Sequence, residues 1–259
     1  MKNSALLLTL WLLVLSAAGG CAVNRTLVAE REPAMQEISY TTADQATIYG
    51  SWMLPPVTGK AAIKSPVVVL LHDYGLDRRD WGIFIPDLVQ QGYKVLALDL
   101  RGHGKSIGKG GRVAGQYSPA VATALLPAGA ADVQGALDWI RQQPAIDPKQ
   151  ISLIGVGLGA DVAYACAKQF GPAIRHTIVI SPSMAALTES DLGAAVPQRV
   201  LFCASSGDAT GSAMLVVESL ANFTRDPKKV VVYPSAVHGL AMFYRHPEIK
   251  QEILDWLRH

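Results

Sequence analysis

One segment of this sequence reads Asp99-Leu100-Arg101-Gly102-His103-Gly104-Lys105-Ser106, and it directly follows the apolar run Lys94–Leu98. Short continuous apolar runs that end in polar, glycine-containing turns are typical of strands buried on both faces of a parallel sheet. The segment therefore predicts a buried strand whose carboxyl end opens into a tight polar turn.

Similar apolar runs lie on both sides of this segment. Two extended stretches come first, Gln36–Thr42 and Thr47–Leu54, and the other runs are Pro66–Leu71, Ile151–Ile154, Thr177–Ile180, Arg199–Cys203 and Lys229–Tyr233. Helical periodicity lies between them at Asp80–Gln91, Ala130–Gln143, Leu158–Phe170, Gly211–Asn222 and Pro247–Arg258. Alternating strands and helices predict an α/β fold with a mostly parallel central sheet of about eight strands, flanked by helices. The small-residue stretch from Lys105 to Pro127 interrupts this alternation, and we expect a loop over the ligand-binding edge there.

The segments that follow the strands carry the candidate functional residues. Ligands of open α/β sheets bind beyond the carboxyl ends of the strands, so these segments are expected to meet at one edge. Besides Asp99–Ser106, they are His72-Asp73-Tyr74-Gly75, Gly155-Val156-Gly157-Leu158-Gly159, Ser205-Ser206-Gly207-Asp208 and Ala236-Val237-His238-Gly239.

This order of segments resembles the α/β-hydrolase family from about Gln36 to Leu257. That family has an HGxG-like turn after its third strand, a D-x-R-G-x-G-x-S segment after its fourth and a G-x-S-x-G elbow after its fifth, followed by an acid and a histidine. Asp99–Ser106 is a specific match to the second of these motifs. The resemblance implies the α/β-hydrolase fold and an esterase-like or lipase-like site.

The resemblance also implies a role for several positions. His238 would be the catalytic base, and Asp208 would hold its tautomer and orientation. The backbone N–H of Leu158, at the head of a helix, and that of Tyr74, in the turn after the third strand, would form an oxyanion hole.

Two positions depart from the family pattern. Gly157 stands where the family has its serine nucleophile, and without a hydroxyl no acyl-enzyme can form there. Asp73 replaces the usual glycine, and its carboxylate would oppose a developing oxyanion unless it points away. Glycine reaches the strained elbow conformation without steric penalty, so we expect the fold to persist. If the rest of the site is intact, Gly157→Ser should restore ester hydrolysis.

Other residues near the strand ends receive structural interpretations. Ser181, Ser205 and Ser206 are expected in loops or caps, and Cys203 at a buried strand end. His72, Arg101 and His103 are expected to brace turns, Asp99 to be structural, and Trp81, Tyr117 and Phe243 to pack in the core. His238 and Asp208 form either a hydrogen-bonded structural pair or a pair that still serves ligand binding or weak base catalysis. A water activated by His238 is an alternative nucleophile.

The first residues predict export and anchoring. Lys2 precedes the apolar run Ala5–Leu15, which is shorter than the roughly 20 residues of a membrane span and fits a secretory signal over residues 1–20. Small residues before Cys21 resemble a bacterial lipobox, although Ala18 stands where leucine is usual. The resemblance implies that Cys21 is lipidated and, because Ala22 follows, that the protein faces the periplasm from the outer membrane if its source is Gram-negative. An ordinary cleaved signal is the alternative. Residues 21–34 would be the lipidated cysteine and tether, and residues 35–259 the domain.

Composition excludes several function classes. The chain carries 23 basic and 21 acidic side chains without a block of like charge, so no nucleic-acid partner is predicted. Cys166 and Cys203 show no metal-ligand spacing and are expected to be separate buried thiols, with a disulfide as the alternative. Gly155-x-Gly157-x-Gly159 lacks the dinucleotide-binding spacing, so neither a cofactor nor a metal is predicted.

Two hypotheses about function follow. The first is a tethered pseudoenzyme that binds a small molecule, a lipid, a peptidoglycan fragment or a protein partner, and the absence of the serine favours it. The second is a working hydrolase of an ester or thioester that uses His238 and Asp208 with an activated water or an unrecognised nucleophile. Retention of that pair favours the second.

Overall fold

The computed structural model describes residues 34–56, 64–108, 118–183, 199–211 and 213–259. Within these ranges, the strands are β1 (Ala34–Thr41), β2 (Thr47–Leu54), β3 (Ser65–Leu71), β4 (Lys94–Leu98), β5 (Ile146–Val156), β6 (His176–Ile180), β7 (Arg199–Ser205) and β8 (Lys228–Tyr233). The α-helices are α1 (Ile85–Gln90), α2 (Pro119–Arg141), α3 (Leu158–Phe170), α4 (Ala213–Phe223), α5 (Ala241–Arg245) and α6 (Glu248–Arg258). Short 3₁₀ helices lie at Arg78–Ile83 and Gly171–Ala173. The predicted signal peptide, Cys21 and most of the tether lie outside the described residues.

The strands form one eight-stranded sheet in the order β1-β2-β4-β3-β5-β6-β7-β8. β2 runs antiparallel to both β1 and β4, and all the other neighbouring strands are parallel. The predicted mostly parallel α/β sheet is therefore confirmed. In-register pairs such as Leu71 with Gly155 and Val156 with Ile180 bring the carboxyl ends of the parallel strands to one edge.

Both faces of the sheet are buried, which explains the continuous apolar runs. On β3, Val67, Val69 and Leu71 pack in the cluster beneath α2 and α3. Val68 and Leu70 point the other way, into the cluster beneath α1 and α6. A strand covered on both faces has no solvent side, so it does not alternate between apolar and polar residues.

The helices near the predicted flap differ from the sequence prediction. The stretch from Lys105 to Pro127 was expected to be a loop, but α2 already begins at Pro119. Ser118 caps this helix by accepting a hydrogen bond from the Val121 N–H at 3.4 Å, and proline is tolerated in the first turn of a helix. Pro127 lies inside α2 and does not end it.

Three smaller differences have local causes. The helix expected over Asp80–Gln91 is divided into a 3₁₀ helix capped by Asp77 and the short α1, which has a proline in its first turn. β5 begins earlier than expected, at Ile146, because Ser65 at the start of β3 pairs with it there. α5, with five residues, is too short to show a helical period.

The two domain cysteines are separate thiols, as predicted. Both are free and buried. Cys166 packs on the α2–α3 side of the sheet and Cys203 on the α1–α6 side, so the sheet lies between them. Burial raises the pKa of each thiol well above its usual value.

Among the described residues, no helix is both long enough and apolar enough to cross a membrane.

Candidate active site

Four polar segments meet at the carboxyl edge of the sheet. Asp73 follows β3, Gly157 follows β5, Asp208 follows β7 and His238 follows β8. Parallel pairing places these strand ends side by side, so residues far apart in the sequence come within hydrogen-bond distance.

The turn between β5 and α3 is a tight elbow centred on Gly157. This residue has φ of 53° and ψ of −118°, a conformation in which a side chain would be strained. Its N–H donates to the Ile180 carbonyl at 3.0 Å, which fixes the elbow against the end of β6. A Cβ at Gly159 would lie only 2.1 Å from the Leu71 carbonyl oxygen, so this glycine allows α3 to approach β3 closely.

Asp208 and His238 form a hydrogen-bonded pair. The Nδ1 of His238 lies 2.9 Å from Oδ2 and 3.0 Å from Oδ1 of Asp208. Oδ1 of Asp208 also accepts hydrogen bonds from the N–H and the hydroxyl of Thr210, at 2.9 Å and 2.7 Å. Burial alone would raise the pKa of Asp208, but the bonds from Thr210 and His238 outweigh it and lower the pKa. Asp208 is therefore a fixed carboxylate that orients the imidazole.

The carboxylate of Asp73 lies at the centre of the site. Its Oδ1 accepts hydrogen bonds from the backbone N–H of Tyr74 at 2.7 Å and of Leu158 at 2.9 Å. Its Oδ2 lies 3.3 Å from Nε2 of His238. The two N–H groups expected to form an oxyanion hole thus converge on one oxygen, and that oxygen belongs to the protein itself. Their role in catalysis stays a prediction.

Asp73 also occupies the space that a side chain at Gly157 would need. A Cβ built on Gly157 would lie 1.9 Å from Oδ1 of Asp73. The sequence left two orientations open for this carboxylate, and the structure has it pointing inward. Gly157→Ser would therefore require Asp73 to move, which the sequence did not predict.

His238 lies between two carboxylates. Burial lowers the pKa of His238, but the hydrogen bonds and charges of Asp73 and Asp208 outweigh it and raise the pKa to about 9. The imidazole is therefore protonated at neutral pH and cannot accept a proton. A general base in this state is inactive until one of its carboxylate partners is neutralised.

The site is open to solvent on one side. The side chains of Asp73 and His238 are 20% and 22% exposed, whereas that of Asp208 is 2% exposed. A ligand can therefore reach Asp73 and His238 but not the orienting carboxylate behind them.

Buried polar residues around the site hold the turn after β3 in place. His72 is buried, its Nδ1 lies 2.7 Å from the Asp73 carbonyl oxygen, and its Nε2 accepts from the Leu100 N–H at 3.0 Å. Burial lowers the pKa of His72 to about 4, so the ring is neutral. The ring of His103 packs edge-on against His72 and Tyr74. These contacts hold the turn that carries Asp73.

Two ion-pair networks brace the same edge. Arg101 donates to the buried carboxylate of Asp132, on α2, and also to Asp44. Asp99 is buried and accepts hydrogen bonds from the guanidinium and the backbone N–H of Arg78 and from the Lys105 N–H. Asp132 and Arg78 were not identified from the sequence, because nothing in their local pattern shows the long-range partner.

Two of the serines expected in loops or caps, Ser181 and Ser205, are buried and hydrogen-bonded to other groups of the protein. Ser181 is fully buried, accepts from the Gly239 N–H at 3.1 Å and donates to the Met242 sulfur at 3.2 Å. Ser205 is hydrogen-bonded to Ser235. Trp81 and Phe243 are buried in edge-on contact in the core, and Tyr117 lies outside the described residues.

Two further features bear on ligands. A surface cleft of about 550 Å³ lies between β1 and α2, lined by Tyr40, Gly135 and Trp139 among others, and none of the residues described above at the strand ends lines it. Within the described ranges, no group of histidine, cysteine and acidic residues is arranged to hold a metal ion.

Comparisons with known proteins agree with this architecture. A model of the alpha/beta hydrolase family matches residues 68–256. An uncharacterized protein of Mycobacterium tuberculosis is 27% identical over 228 residues, which cover 80% of this chain and 73% of that protein. An esterase from Pyrococcus furiosus superposes with a TM-score of 0.67 at 19% identity, covering 87% of this chain and 92% of the esterase. An acetyl xylan esterase from Paenibacillus superposes with a TM-score of 0.69 at 17% identity, covering 91% of this chain and 86% of that enzyme.

Proposed function

Because the chain belongs to the alpha/beta hydrolase family, we propose that it is a membrane-tethered member without serine-dependent acyl transfer, which uses the remaining site to bind a small molecule, a lipid or a protein partner. The observation that carries this proposal is the position of the Asp73 carboxylate, on the two N–H groups of Tyr74 and Leu158 and beside His238.

Each requirement of acyl transfer meets an obstacle in this arrangement. The nucleophile needs a hydroxyl, and Gly157 has none. The hole must be free for an oxyanion, but a carboxylate already accepts both hydrogen bonds there. The base must be neutral, but the pKa of His238 is raised to about 9. Two of these obstacles come from Asp73 and the third from Gly157, so no single substitution removes all three.

The charge of the site favours some ligands over others. Asp73, Asp208 and protonated His238 together carry a net negative charge, and both donors of the hole are satisfied. An anionic ligand would have to displace Asp73 from its hydrogen bonds. We therefore expect a neutral or cationic group at this point, hydrogen-bonded to the exposed edge of Asp73 or His238.

The tether is the second part of the proposal. It rests on the sequence of residues 1–20 and on Cys21, and it places the domain at the bacterial cell envelope. Several acyl chains on one cysteine give stable anchoring, whereas one chain gives only marginal binding. In a Gram-negative source, the domain would face the periplasm from the outer membrane.

The decisive experiment compares the hydrolysis of short-chain p-nitrophenyl esters by five forms of the protein, one of them the single variant His238→Ala. We expect no hydrolysis by the wild type or by Gly157→Ser, because in the latter Asp73 and the new side chain compete for one space. The double variant Asp73→Gly/Gly157→Ser should gain activity, since it frees the hole, lowers the pKa of His238 and supplies the hydroxyl. Adding His238→Ala to the double variant should remove that activity. Hydrolysis by the wild type that disappears in His238→Ala would overturn the proposal.

The same geometry favours a second candidate function, in which Asp73 is itself the nucleophile. Its Oδ2 would attack an sp³ carbon that bears a leaving group, forming an ester on Asp73 while the bond to the leaving group breaks with its electron pair. Consuming the charge of Asp73 would lower the pKa of His238, which could then deprotonate a water. That water would attack Cγ of the ester, with the oxyanion on Oδ1 held by Tyr74 and Leu158. The alcohol would leave with the proton from His238, and Asp73 would be regenerated.

Isotope labelling distinguishes the two functions. Turnover of a haloalkane or an epoxide in ¹⁸O-water would place the label in the Asp73 peptide, and His238→Gln would instead accumulate an alkyl ester there. If neither mass change occurs in the wild type and His238→Gln, Asp73 is not a nucleophile towards these substrates, and the binding function remains.

A further inference from the structure

A second group of polar side chains lies at the opposite, amino edge of the sheet. His176 begins β6 and pairs in register with Arg199, which begins β7. Residues paired in register on parallel strands project to the same face. Ile178 and Leu201, two residues further along each strand, pack in the cluster beneath α1 and α6. His176 and Arg199 therefore point to the side of the sheet that α6 covers.

Arg175 closes this group from the end of α6. Its backbone N–H donates to the Ile151 carbonyl at 2.7 Å, and its Nη2 donates to the His259 carbonyl oxygen at 3.2 Å. Burial first, and then the charges of Arg175, Arg199 and His259, lower the pKa of His176 to about 4. Strand pairing places Arg199 beside His176, and Arg175 directly precedes His176 in the chain. We call Arg175, His176 and Arg199 the basic cluster.

Each member of the basic cluster has one buried side-chain nitrogen that finds no hydrogen-bond partner among the described residues. These donors are Nε of Arg175, Nε2 of His176 and Nη1 of Arg199. His176 is 1% exposed, and the Ser152 hydroxyl lies 3.2 Å from its Nδ1. If that hydroxyl donates to Nδ1, the neutral ring carries its proton on Nε2. Trp256, on the last turn of α6, also has a buried indole N–H that finds no acceptor in the part of the chain that the structure describes.

No carboxylate among the described residues forms an ion pair with Arg175 or Arg199. Arg175 and Arg199 are partly buried as whole residues, but a buried N–H without an acceptor costs free energy comparable to a lost hydrogen bond. Such donors in native proteins have partners, including bound ions. Because two of the three donors belong to cationic guanidinium groups, we expect the acceptor to be an anion.

The number of donors distinguishes between classes of anion. A carboxylate has two oxygens in one plane. A tetrahedral oxyanion has three or four oxygens in different directions, which suits donors mounted on two strands and on the segment before β6. Guanidinium groups bind such oxyanions through paired hydrogen bonds.

We propose that the basic cluster is a binding site for a phosphate group, either inorganic phosphate or the phosphate of a small ester such as a lipid headgroup. It lies at the amino edge of β6 and β7, away from the site at the carboxyl edge. It is independent of the function proposed for that site, and its test does not depend on hydrolytic activity.

The test is calorimetric titration of the full-length protein, in a nonionic detergent, with inorganic phosphate at constant ionic strength. We expect binding by the wild type, at least about tenfold weaker binding by Arg199→Gln, and none by Arg175→Gln/Arg199→Gln. Arg141→Gln is the matched control, because this surface arginine on α2 pairs with the exposed carboxylate of Asp138. Its affinity should equal that of the wild type. The absence of binding at millimolar phosphate, or equal binding by the double variant, would overturn the proposal.

A second measurement keeps the proposal testable if the double variant folds poorly. The Nε2–H resonance of His176 in the wild-type protein should shift on addition of phosphate and not on addition of chloride. An unchanged resonance would contradict a site at this imidazole. Titration with glycerol 3-phosphate and with a short-chain phosphatidic acid identifies the source of the bound phosphate group. Tighter binding of the lipid than of inorganic phosphate indicates a lipid headgroup. Tighter binding of inorganic phosphate indicates a free ion.

Discussion

At the scale of single residues, Asp73 determines the state of its neighbours. Its carboxylate accepts the hydrogen bonds of Tyr74 and Leu158, excludes a side chain at Gly157 and stabilises the protonated form of His238. One oxygen thus satisfies both donors while the other interacts with the imidazole. The absence of a hydroxyl at Gly157 and the presence of this carboxylate act in the same direction, against acyl transfer.

The first prediction concerns the titration of His238. The pKa of His238 in the folded state is raised from 6.5 to about 9. Protonation of His238 therefore stabilises the folded state fully below about pH 6.5, and this stabilisation is lost as the pH rises towards 9. In Asp73→Asn the pKa of His238 should fall, and the loss of stability over this pH range should become smaller. NMR titration of the imidazole and urea unfolding at several pH values measure the two effects.

The control for this titration is Asp138→Asn, which removes an exposed carboxylate on α2. It should leave the pKa of His238 unchanged. A pKa near 6.5 in the wild type would show that the imidazole does not lie between two ionised carboxylates.

At the scale of elements, the buried ion pair of Arg78 and Asp99 connects the 3₁₀ helix after β3 with the end of β4. Their side chains are 8% and 1% exposed. Removing one partner of a buried pair leaves the other charge without compensation. We expect Arg78→Met to lower the free energy of unfolding by about 3–5 kcal/mol in denaturant titration.

The adjacent Arg79 provides a matched control for that variant. Its side chain is 83% exposed and pairs with Asp77 at the surface. Arg79→Met should change the free energy of unfolding by less than about 1 kcal/mol. Equal effects of the two variants would show that the Arg78 pair does not hold these elements together.

The elbow is a second element-scale contact, because α3 can approach β3 only if residue 159 has no side chain. A Cβ there would lie 2.1 Å from a backbone carbonyl oxygen, which cannot move aside cheaply. Gly159→Ala should therefore destabilise the protein by about 1–3 kcal/mol or more. Gly82→Ala is the control, because a Cβ at Gly82 meets nothing within 4 Å. Thermal unfolding of the two variants compares them directly, and a fully stable Gly159→Ala would contradict the close approach.

At the scale of the whole molecule, the prediction concerns the anchor. If Cys21 carries the lipid, the wild-type protein should partition into the detergent phase of a cloud-point extraction, and mass spectrometry should find acyl chains on its first mature residue. Cys21→Ser should lack both. A wild-type protein that stays in the aqueous phase after cleavage of its signal would favour the ordinary cleaved signal instead.

Much of the whole fold was predictable because its signals are local. Apolar runs such as Lys94–Leu98 indicate strands buried on both faces, and the periodic segment Leu158–Phe170 matches α3 in both bounds. The beginning of α2 was not predictable in this way. Its first turns are stabilised by Ser118 and Pro119, and its small residues resemble those of a loop.

The sequence by itself determined which residue types stand at the strand ends. Gly157, Asp208 and His238 could be placed after β5, β7 and β8, because strand and turn patterns depend on neighbouring residues. Only the tertiary structure decided where the Asp73 side chain points, which N–H groups converge on it, and that His238 lies between two carboxylates. The basic cluster is likewise a product of strand pairing. These contacts join residues from different strands, and their distances depend on how the sheet brings those strands together.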